Sequence, residues 1–572
     1  MADLVKLNYE RWMASPKVSE EDKKALAALT PEEKDAAFFK DVEFGTAGMR
    51  GFIGAGTNKM NDFTVKKATL AFGMYLLEKI PGSKDMGVVI SHDNRFKSRE
   101  FTLLSAKILN EMGIKAYIFD ALRPVPELSF AVRNTKAAGG IMITASHNPK
   151  EYNGYKVYDE TGCQLVPTKI ARMLEILASL PDELTVEAPK ADKPAETIML
   201  GKEIDDEYVS LVMKTQVNPD LPKKGFKIVY SPQHGASYEN AMRIFKDCGY
   251  EIYPVEKQCI HDPAFGGTAS PNPENAEAFN ESIKLAKEIG AQLTVMTDPD
   301  GDRCGLSYLS SKGTYERLTG NQSAALLMEY LFSERKKQGK LSDNGVMYDT
   351  IVTSDLGRKI AKAYGLSNES FLTGFKYIGN RIDFYEKQGH GPHFEFGYEE
   401  SYGCIVEPFV RDKDGIQAIL LYSEMALHYY LQGIPLDVAY ENLEKKYGYH
   451  MTITKSVSFF GSSGASEMAK IMEKAHNSLP TVVDGMKVAI IEDYVKLEKQ
   501  DLRTGEKTKL DYDKSEVVRL IFEDSSWIAI RPSGTEPKCK FYVEVFQKDG
   551  NGLKERTEHL IATLLESLGV KA

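Results

Sequence analysis

Short apolar runs that alternate with helix-like segments are the feature of this sequence that most restricts its fold. In the first part of the chain, residues 65–79 and 101–112 have the pattern of helices, whereas residues 86–91 and 141–144 have the pattern of strands. Strands that alternate with helices are typical of parallel, doubly wound sheets. We therefore predict that the chain begins with a doubly wound α/β unit.

The same construction recurs further along the chain. Strand-like residues 226–230 and 292–297 enclose a helix-like segment at 238–248, and a strand at 346–352 precedes a helix at 415–431. The C-terminal part differs, because several short strands precede a terminal helix there, which is the order of an α+β domain. These strands are predicted at 488–491, 517–522, 527–530 and 540–546.

We therefore predict an α/β protein of four domains around a central active-site cleft. The first three are doubly wound α/β units of similar construction, and the fourth is a smaller α+β domain. The predicted domains are 1–195, 196–315, 316–445 and 446–572. The first boundary lies in a stretch rich in Ala, Pro, Lys and Glu at 187–196, which has the composition of a linker.

Composition excludes several classes of function. The net charge of −10 argues against a nucleic-acid-binding surface. No apolar run approaches the ~18 residues of a membrane span, and the first residues lack the apolar core of a signal peptide. The six cysteines contain no CxxC pair, which favours reduced thiols. We expect a cytoplasmic protein with a small-molecule substrate and no nucleic-acid or membrane partner, either monomeric or homodimeric.

Ser146 follows the strand-like run 141–144, and Pro149 prevents that strand from continuing. Ser146 is therefore expected on a turn at the carboxyl end of a strand, where open α/β sheets bind their ligands. A serine hydroxyl held there can attack phosphorus or carry a phosphate. An isolated loop serine more often only caps the next segment, so this interpretation depends on the other loops.

Three carboxylates follow the predicted strand at 292–297. Asp298, Asp300 and Asp302 alternate along a glycine-containing turn, and converging carboxylates are hard oxygen ligands suited to Mg²⁺. The spacing of these aspartates resembles the beginning of a calcium-binding EF-hand loop with Asp298 as its first position. However, the sixth position is Arg303 rather than glycine, and the twelfth is Leu309 rather than glutamate. That type of calcium site is rejected. A solvated acidic turn is the alternative, although acids crowded at a strand end repel one another without a cation.

Further loops carry groups that bind phosphate or polyols. Arg531, Ser533, Gly534 and Thr535 form a compact set of donors for a phosphate, and a plain β-turn is the alternative. Glu399 and Ser401, two positions apart on an extended segment, can bind neighbouring sugar hydroxyls.

The glycine-rich loop FGTAGMRG at 44–51 carries Arg50, and such loops bring backbone N–H groups close to anions. An Asn-Gly pair at 153–154, just before Lys156, predicts a turn. A nucleophilic hydroxyl, a divalent cation, polyol-binding groups and a phosphate clamp together indicate phosphoryl transfer on a sugar phosphate.

Four motifs resemble the α-D-phosphohexomutase superfamily, one in each predicted domain and in the order of the family. They are TASHNP at 144–149, DPDGDR at 298–303, EESYG at 399–403 and RPSGTEP at 531–537. The resemblance spans nearly the whole chain. The loop at 44–51 is most similar to the phosphoglucomutase/phosphomannomutase branch, which includes phosphopentomutase-like members.

This resemblance implies a role for each candidate residue. Ser146 would carry the phosphate, and Asp298, Asp300 and Asp302 would bind Mg²⁺ together with an oxygen of the phosphoserine. Arg50, Lys156 and Arg303 would stabilise the charge of the transferring group, and His147 would help to move a proton. Substrate contacts would come from Lys376, Glu399, Ser401, Arg531, Ser533, Gly534 and Thr535. The fourth domain would move on a hinge near residues 440–455.

The implied enzyme is an isomerase that interconverts α-D-glucose 1-phosphate and glucose 6-phosphate, with glucose 1,6-bisphosphate as intermediate and activator. Mannose or pentose phosphates are alternative substrates, because the spelling SPQHG at 231–235 leaves the preferred sugar open. A catalytically silent sugar-phosphate-binding regulator would need neither the serine nor all three aspartates. A serine hydrolase is disfavoured because the chain lacks a GxSxG motif at Ser146.

Overall fold

The computed structural model describes residues 2–45, 48–459, 461–532 and 538–570. The chain divides into two compact units. The first comprises Met1–Ser323 and Phe375–Pro435, and the second comprises Ala324–Gly374 and Leu436–Ala572. Residues 440–455, the predicted hinge, lie inside the second unit, so the hinge stays a prediction.

The first unit contains a mixed sheet that carries the serine loop. Its strands lie in the spatial order Phe44–Gly45, Gly48–Phe52, Tyr152–Asp159, Gly139–Ile143, Val88–His92, Ala116–Phe119 and Thr197–Leu200. The last four strands of this order are parallel to one another, as the α/β pattern predicts. Tyr152–Asp159 is antiparallel to Gly139–Ile143, because a short connection returns the chain directly beside the strand it has just left.

The turn predicted at Asn153 and Gly154 is wrong, because both residues lie inside strand Tyr152–Asp159. Gly154 is needed there for close packing: a Cβ atom would lie 2.4 Å from the carbonyl oxygen of Thr144 and 2.8 Å from that of Met49. The Asn153 amide is buried and donates to the Phe96 carbonyl oxygen at 2.9 Å. Here an Asn-Gly pair marks a close approach of strands and not a turn.

The first sheet extends past residue 195, where the first domain was predicted to end. Strand Thr197–Leu200 pairs in parallel with Ala116–Phe119 at the edge of the sheet. Residues 187–196 contain no helix or strand, as expected for a linker. The four domain ranges stay a prediction.

A second sheet of the first unit carries the acidic loop. Its order is Tyr315–Arg317, Cys304–Leu309, Leu293–Thr297, Lys227–Ser231 and Glu251–Pro254. Leu293–Thr297 is parallel to Lys227–Ser231 and antiparallel to Cys304–Leu309. The acidic loop is therefore the tight connection between two adjacent strands. Strands His393–Glu399 and Gly403–Ile405 form an antiparallel pair in the same unit.

The helices of the first unit pack around these strands. The α-helices are Ala2–Ala14, Glu20–Ala27, Pro31–Phe38, Asp62–Lys79, Ser83–Met86, Ser98–Glu111, Val125–Asn134, Pro167–Ser179, Lys202–Met213, Tyr238–Asp247, Asn280–Ile289, Phe375–Gln388 and Gly415–Leu431, with 3₁₀ turns at Glu256–Gln258 and Ala276–Phe279. Ser19 and Thr30 cap the second and third helices, and Thr30 with Glu33 forms a capping box. Helix Gly320–Lys337 contains the boundary between the units.

The second unit is α+β in its C-terminal part. One sheet has the order Tyr449–Ser458, Lys538–Gln547, Trp527–Pro532, Val518–Phe522, Met486–Asp493, Glu498–Asp501 and Lys507–Lys509, with Val482–Val483 beside Met486–Asp493. Gly345–Thr350 and Ser367–Phe371 form a parallel pair. The helices are Asp355–Ala363, Leu436–Tyr447, Gly461–Asn477 and Leu553–Leu568. The terminal helix buries Leu560 and Leu564 in a core shared with the sheet, including Ile528 and Phe541.

All six cysteines are free thiols. Within the described ranges, no helix combines the length and the apolar character that crossing a membrane requires.

Candidate active site

Ser146 is buried at the carboxyl end of strand Gly139–Ile143 and has a φ of +52°. This left-handed conformation is uncommon for a residue with a side chain and is concentrated at functional sites. The Ser146 hydroxyl donates to Oδ2 of Asp298 at 2.8 Å and lies 3.2 Å from Nδ1 of His147. The sheet therefore presents a buried serine directly to the acidic loop.

The acidic loop brings Asp298, Asp300 and Asp302 together, all buried. One carboxylate oxygen from each lies within 4.8 Å of the others. The backbone of the loop is fixed from two sides: the Val125 N–H donates to the Asp300 carbonyl at 2.8 Å, and the Gly415 N–H donates to the Gly301 carbonyl at 3.0 Å. The three carboxylates therefore converge, as the sequence predicts.

This cluster could bind a metal ion. Oδ1 of Asp300 and Oδ1 of Asp302 are buried and have no hydrogen-bond partner among the described residues. Leaving buried carboxylate oxygens unpartnered is unfavourable, whereas a hard divalent cation would accept both as ligands. Burial and the two neighbouring carboxylates raise the pKa of Asp298 well above its ordinary range. The donor set is therefore chemically suited to a cation such as Mg²⁺.

Two buried lysines balance part of this charge. Nζ of Lys156 lies 2.9 Å from Oδ2 of Asp300, and Nζ of Lys413 lies 3.1 Å from Oδ2 of Asp302. Burial lowers the pKa of Lys156, but Asp300 and Asp302 more than compensate, so its pKa is raised overall. Burial opposes the charge of Lys413 as well, but Asp302, Asp412 and Glu399 raise its pKa overall. Both ammonium groups are therefore held charged beside the aspartates.

Arg303 follows the acidic loop and is held in place by its backbone and side chain. Its N–H donates to Oδ1 of Asp298 at 3.0 Å, and its guanidinium forms a 2.9 Å ion pair with Glu274. Burial opposes its charge, but Glu274, Asp302 and Asp298 raise its pKa overall. A permanent positive charge thus lies at the end of the acidic loop.

Arg50 lies beside the serine loop. It is half-buried on strand Gly48–Phe52, and its guanidinium donates to Oδ1 of Asn148 at 3.0 Å. Two residues of the glycine-rich loop, Thr46 and Ala47, lie outside the described residues.

Glu399 ends strand His393–Glu399, is buried, and has Oε2 at 3.9 Å from Nζ of Lys413. Lys413 therefore lies between Glu399 and the acidic loop. Ser401 is half-buried in the following turn, and Lys376 is buried on helix Phe375–Gln388. Their predicted sugar contacts stay predictions.

Arg531 lies in the second unit, half-buried on strand Trp527–Pro532 and opposite Lys540. The other residues predicted for the phosphate clamp, Ser533, Gly534 and Thr535, lie outside the described residues.

Comparison with known proteins agrees with this geometry. Four domains of the phosphoglucomutase/phosphomannomutase family match the chain: alpha/beta/alpha domains I, II and III over residues 41–182, 206–309 and 319–447, and the C-terminal domain over residues 481–555. A phosphoglucomutase from Staphylococcus epidermidis is 37% identical over 519 residues, which cover 90% of this chain and 93% of that protein. The chain belongs to the phosphoglucomutase/phosphomannomutase family. It is therefore an enzyme, an isomerase that acts as a phosphosugar mutase in carbohydrate metabolism.

Solved structures show the same fold at lower identity. Parafusin, a phosphoglucomutase from Paramecium in its open form, matches with a TM-score of 0.67 and 19% identity, over 92% of this chain and 94% of that chain. The N-acetylphosphoglucosamine mutase of Aspergillus fumigatus, solved with GlcNAc-6P and magnesium, matches with a TM-score of 0.50 and 14% identity, over 97% of this chain and 100% of that chain.

Sequence reasoning about this family member missed several residues at the site. Asp93, Arg95, Glu274, Asp412 and Lys413 are all buried or half-buried near the serine or acidic loops. The sequence could have indicated two of them. Asp93 and Arg95 directly follow strand Val88–His92, which pairs in parallel with the strand that precedes Ser146. Lys413 precedes a helix whose N-cap is Asp414, and no local pattern indicates its contact with a loop 111 residues away.

His92, at the end of strand Val88–His92, provides a pH-dependent prediction. Its Nδ1 lies 2.7 Å from the Asp93 carbonyl oxygen, and its buried Nε2 has no hydrogen-bond partner among the described residues. Burial lowers the pKa of His92 below its ordinary value of about 6.5. Because the unfolded chain binds this proton more readily, the contribution of neutral His92 to the free energy of unfolding is fully present above about pH 6.5. It is lost progressively as the pH falls from that value through the lower pKa of the folded state.

We expect NMR titration to give the His92 signal a pKa below its ordinary value of about 6.5, and His92→Gln to remove that signal. The stability difference between the wild type and His92→Gln should also change between about pH 7.5 and about pH 5.5, in favour of the variant at the lower pH. A His92 signal that titrates at or above the ordinary value would contradict the prediction.

Proposed function

We propose that this chain is a phosphoglucomutase that interconverts α-D-glucose 1-phosphate and glucose 6-phosphate through a phosphoserine at Ser146, with glucose 1,6-bisphosphate as intermediate and activator. The observation that carries the proposal is the buried Ser146 hydroxyl, 2.8 Å from Asp298 within a cluster of carboxylates and lysines. The curated staphylococcal relatives, at 33–37% identity, support glucose as the sugar. Magnesium and a cytoplasmic location belong to the same proposal.

Each half-reaction moves one phosphoryl group. A sugar hydroxyl oxygen forms a bond to the phosphorus carried by Ser146, the bond from phosphorus to Oγ breaks, and the hydroxyl proton passes to a base. The bisphosphate then turns, its other phosphoryl group returns to Oγ, and the released sugar oxygen takes a proton. His147, with Nδ1 at 3.2 Å from Oγ, is placed to exchange a proton with the serine oxygen.

The three aspartates, with an oxygen of the phosphoryl group on Ser146, would hold Mg²⁺, which would neutralise charge on the transferring group. Nζ of Lys156 lies 2.9 Å from an Asp300 oxygen and Nζ of Lys413 lies 3.1 Å from an Asp302 oxygen, so both place fixed positive charge on the acidic loop that Ser146 contacts. Arg303 and Arg50 add further charge around the loops. Such preorganised electrostatics supply much of the catalysis in phosphoryl transfer.

The remaining predicted residues would hold the sugar. Glu399 and Ser401 would accept hydrogen bonds from sugar hydroxyls, and Lys376 would bind beside them. Arg531, with Ser533, Gly534 and Thr535, would bind the phosphate that is not being transferred. The Aspergillus neighbour, solved with a sugar phosphate and magnesium, supports the ligand class and not these individual contacts.

A substrate panel tests the proposal. Glucose, mannose, ribose and glucosamine 1-phosphates are each supplied with the matching bisphosphate and Mg²⁺, and kcat/KM is measured. We expect glucose 1-phosphate to give the highest value. A higher kcat/KM for mannose or ribose phosphate would show that this sugar, and not glucose, is the preferred substrate. Calorimetric binding of the phosphosugars without turnover of any would instead identify a silent regulator.

Arg531→Ala tests the phosphate clamp. A charge-assisted contact between arginine and phosphate contributes roughly 1.5–3 kcal/mol, so kcat/KM should fall by about ten- to a hundredfold. The variant should also need more glucose 1,6-bisphosphate, because the intermediate would escape more often while it turns. Steady-state kinetics with titrated bisphosphate measures both effects.

Arg503→Ala is the matched control, because Arg503 is 54% exposed and pairs with Asp501. It should leave kcat/KM and the bisphosphate requirement near the wild-type values. If Arg531→Ala behaved like this control, residues 531–535 would not be the clamp.

A further inference from the structure

The side chain of Arg95 is completely buried and binds the backbone of the serine loop. Nη2 donates to the carbonyl oxygen of Ser146 at 2.6 Å and also to that of Asn148. Nη1 donates to the carbonyl oxygens of Pro149, at 2.7 Å, and Tyr152, at 3.0 Å. Four carbonyl groups between residues 146 and 152 thus converge on one planar guanidinium, which is the side chain with enough fixed donors to bind them together.

Asp93 holds this guanidinium in place. Oδ2 of Asp93 accepts from Nε of Arg95 at 3.0 Å, and Oδ1 accepts from the Arg95 backbone N–H at 3.0 Å and from the Ser98 hydroxyl at 2.8 Å. The Asp93 side chain is as fully buried as that of Arg95. The ion pair is therefore geometrically constrained and largely inaccessible to screening by solvent.

Asp93 also reaches the other side of the serine through Thr144. The Thr144 hydroxyl donates to Oδ2 of Asp93 at 2.6 Å and accepts from the Ser146 N–H at 2.8 Å. The peptide groups before and after Ser146 are therefore both tied to the Asp93–Arg95 pair. These two ties hold Ser146 at its φ of +52° and direct Oγ toward Asp298.

We propose that Arg95, held by Asp93, is a positioning residue that sets the Ser146 oxygen in line for phosphoryl transfer without itself contacting the substrate. The inference rests on the proposed phosphoserine mechanism. Without the guanidinium, the four carbonyl groups would lose their shared donor, and Ser146 would relax toward the negative φ that residues with side chains prefer. A displacement of Oγ by about 1 Å can reduce a rate about a hundredfold.

Arg95→Lys is the first test, because it keeps a positive charge beside Asp93 but replaces the planar fork by a single ammonium group. We expect kcat to fall on the order of a hundredfold, with KM changed less than about threefold, since the substrate contacts remain. The single-turnover rate of Ser146 phosphorylation by glucose 1,6-bisphosphate should fall by the same factor. Arg99→Lys is the control, because Nη1 of Arg99 donates to the Phe119 carbonyl, away from the serine loop.

Thr144 supplies a second test that keeps both members of the buried ion pair. Its hydroxyl also lies 3.3 Å from Oδ2 of Asp300, so Mg²⁺ affinity is measured on each Thr144 variant and should stay near the wild-type value. Thr144→Val has nearly the same shape but removes the hydroxyl that joins Asp93 to the Ser146 N–H, so kcat should fall at nearly constant KM. Thr144→Ser restores the hydroxyl and should recover most of kcat. We also expect the thermal stability of Thr144→Val and Thr144→Ser to stay near that of the wild type. If Thr144 only stabilised the fold, the loss of kcat in Thr144→Val would be accompanied by a loss of thermal stability.

The two proposals can fail separately. If Arg95→Lys and Thr144→Val, once folded, phosphorylate Ser146 at the wild-type rate, the positioning inference is overturned while the phosphoserine mechanism stands. If the wild type itself gains no phosphate on Ser146 from glucose 1,6-bisphosphate, the proposed mechanism fails first.

Discussion

Ser146→Ala is expected to abolish phosphorylation of the protein and nearly all turnover of glucose 1-phosphate. The Ser146 hydroxyl is buried and lies 2.8 Å from Asp298, and the alanine removes the hydroxyl oxygen that is proposed to accept the phosphoryl group. Loss of a covalent nucleophile removes the whole two-step route, and kcat should fall by at least about a thousandfold. Intact-mass analysis after incubation with glucose 1,6-bisphosphate and Mg²⁺ should show a phosphorylated fraction in the wild type alone.

Ser179→Ala is the control for this experiment. The Ser179 hydroxyl donates to the Ile176 carbonyl at the end of helix Pro167–Ser179, away from the serine loop. This variant should be phosphorylated and active like the wild type. A Ser146→Ala enzyme that retained turnover, or that still gained a phosphate, would show that another residue carries the phosphoryl group.

The local parts of the site could be predicted from the sequence because each depends on a short stretch of chain. An apolar strand followed by Ser146, or by Asp298, places these residues at the carboxyl end of a strand whatever the rest of the chain does. Helix Gly415–Leu431 was predicted with the bounds that the structure shows. In the structure, the side chain of Asp414 caps its first turn. Caps and strand ends are set by neighbours in sequence.

The groups that support the site could not be predicted in the same way, because their roles arise from contacts between distant parts of the chain. Arg95 binds carbonyl groups 51 to 57 residues away, and an arginine after a strand has no local pattern that identifies such partners. At the Asn153–Gly154 pair, by contrast, a local pattern was present but predicted the wrong structure. Its composition favours a turn, but two carbonyl groups from neighbouring strands occupy the space that a Cβ atom would need. Tertiary packing decided the outcome at both places.

Asp300→Asn is expected to reduce both metal affinity and activity by a large factor. Asp300 is fully buried, and its unpartnered Oδ1 is one of the oxygens available to a cation. The amide keeps the shape but removes one negative charge from a site made of hard oxygen ligands. We expect Mg²⁺ affinity, measured by calorimetry on the wild type and the variant, to fall by about ten- to a hundredfold, and kcat at fixed Mg²⁺ to fall by at least as much. Asp85→Asn, at a site that is 92% exposed, should change neither quantity.

Asp300 also pairs with Lys156 at 2.9 Å, so a loss of activity alone would not show which function of the carboxylate matters. The two contributions separate under Mg²⁺ titration. If the main effect is on metal affinity, raising Mg²⁺ should restore much of the activity of Asp300→Asn, and EDTA should inactivate the wild type until Mg²⁺ is returned. If the variant binds Mg²⁺ normally but stays inactive at saturation, the carboxylate acts chiefly by holding Lys156 beside the serine. A wild type indifferent to EDTA would remove the metal from the mechanism, and the three aspartates would then act only as partners of the two lysines.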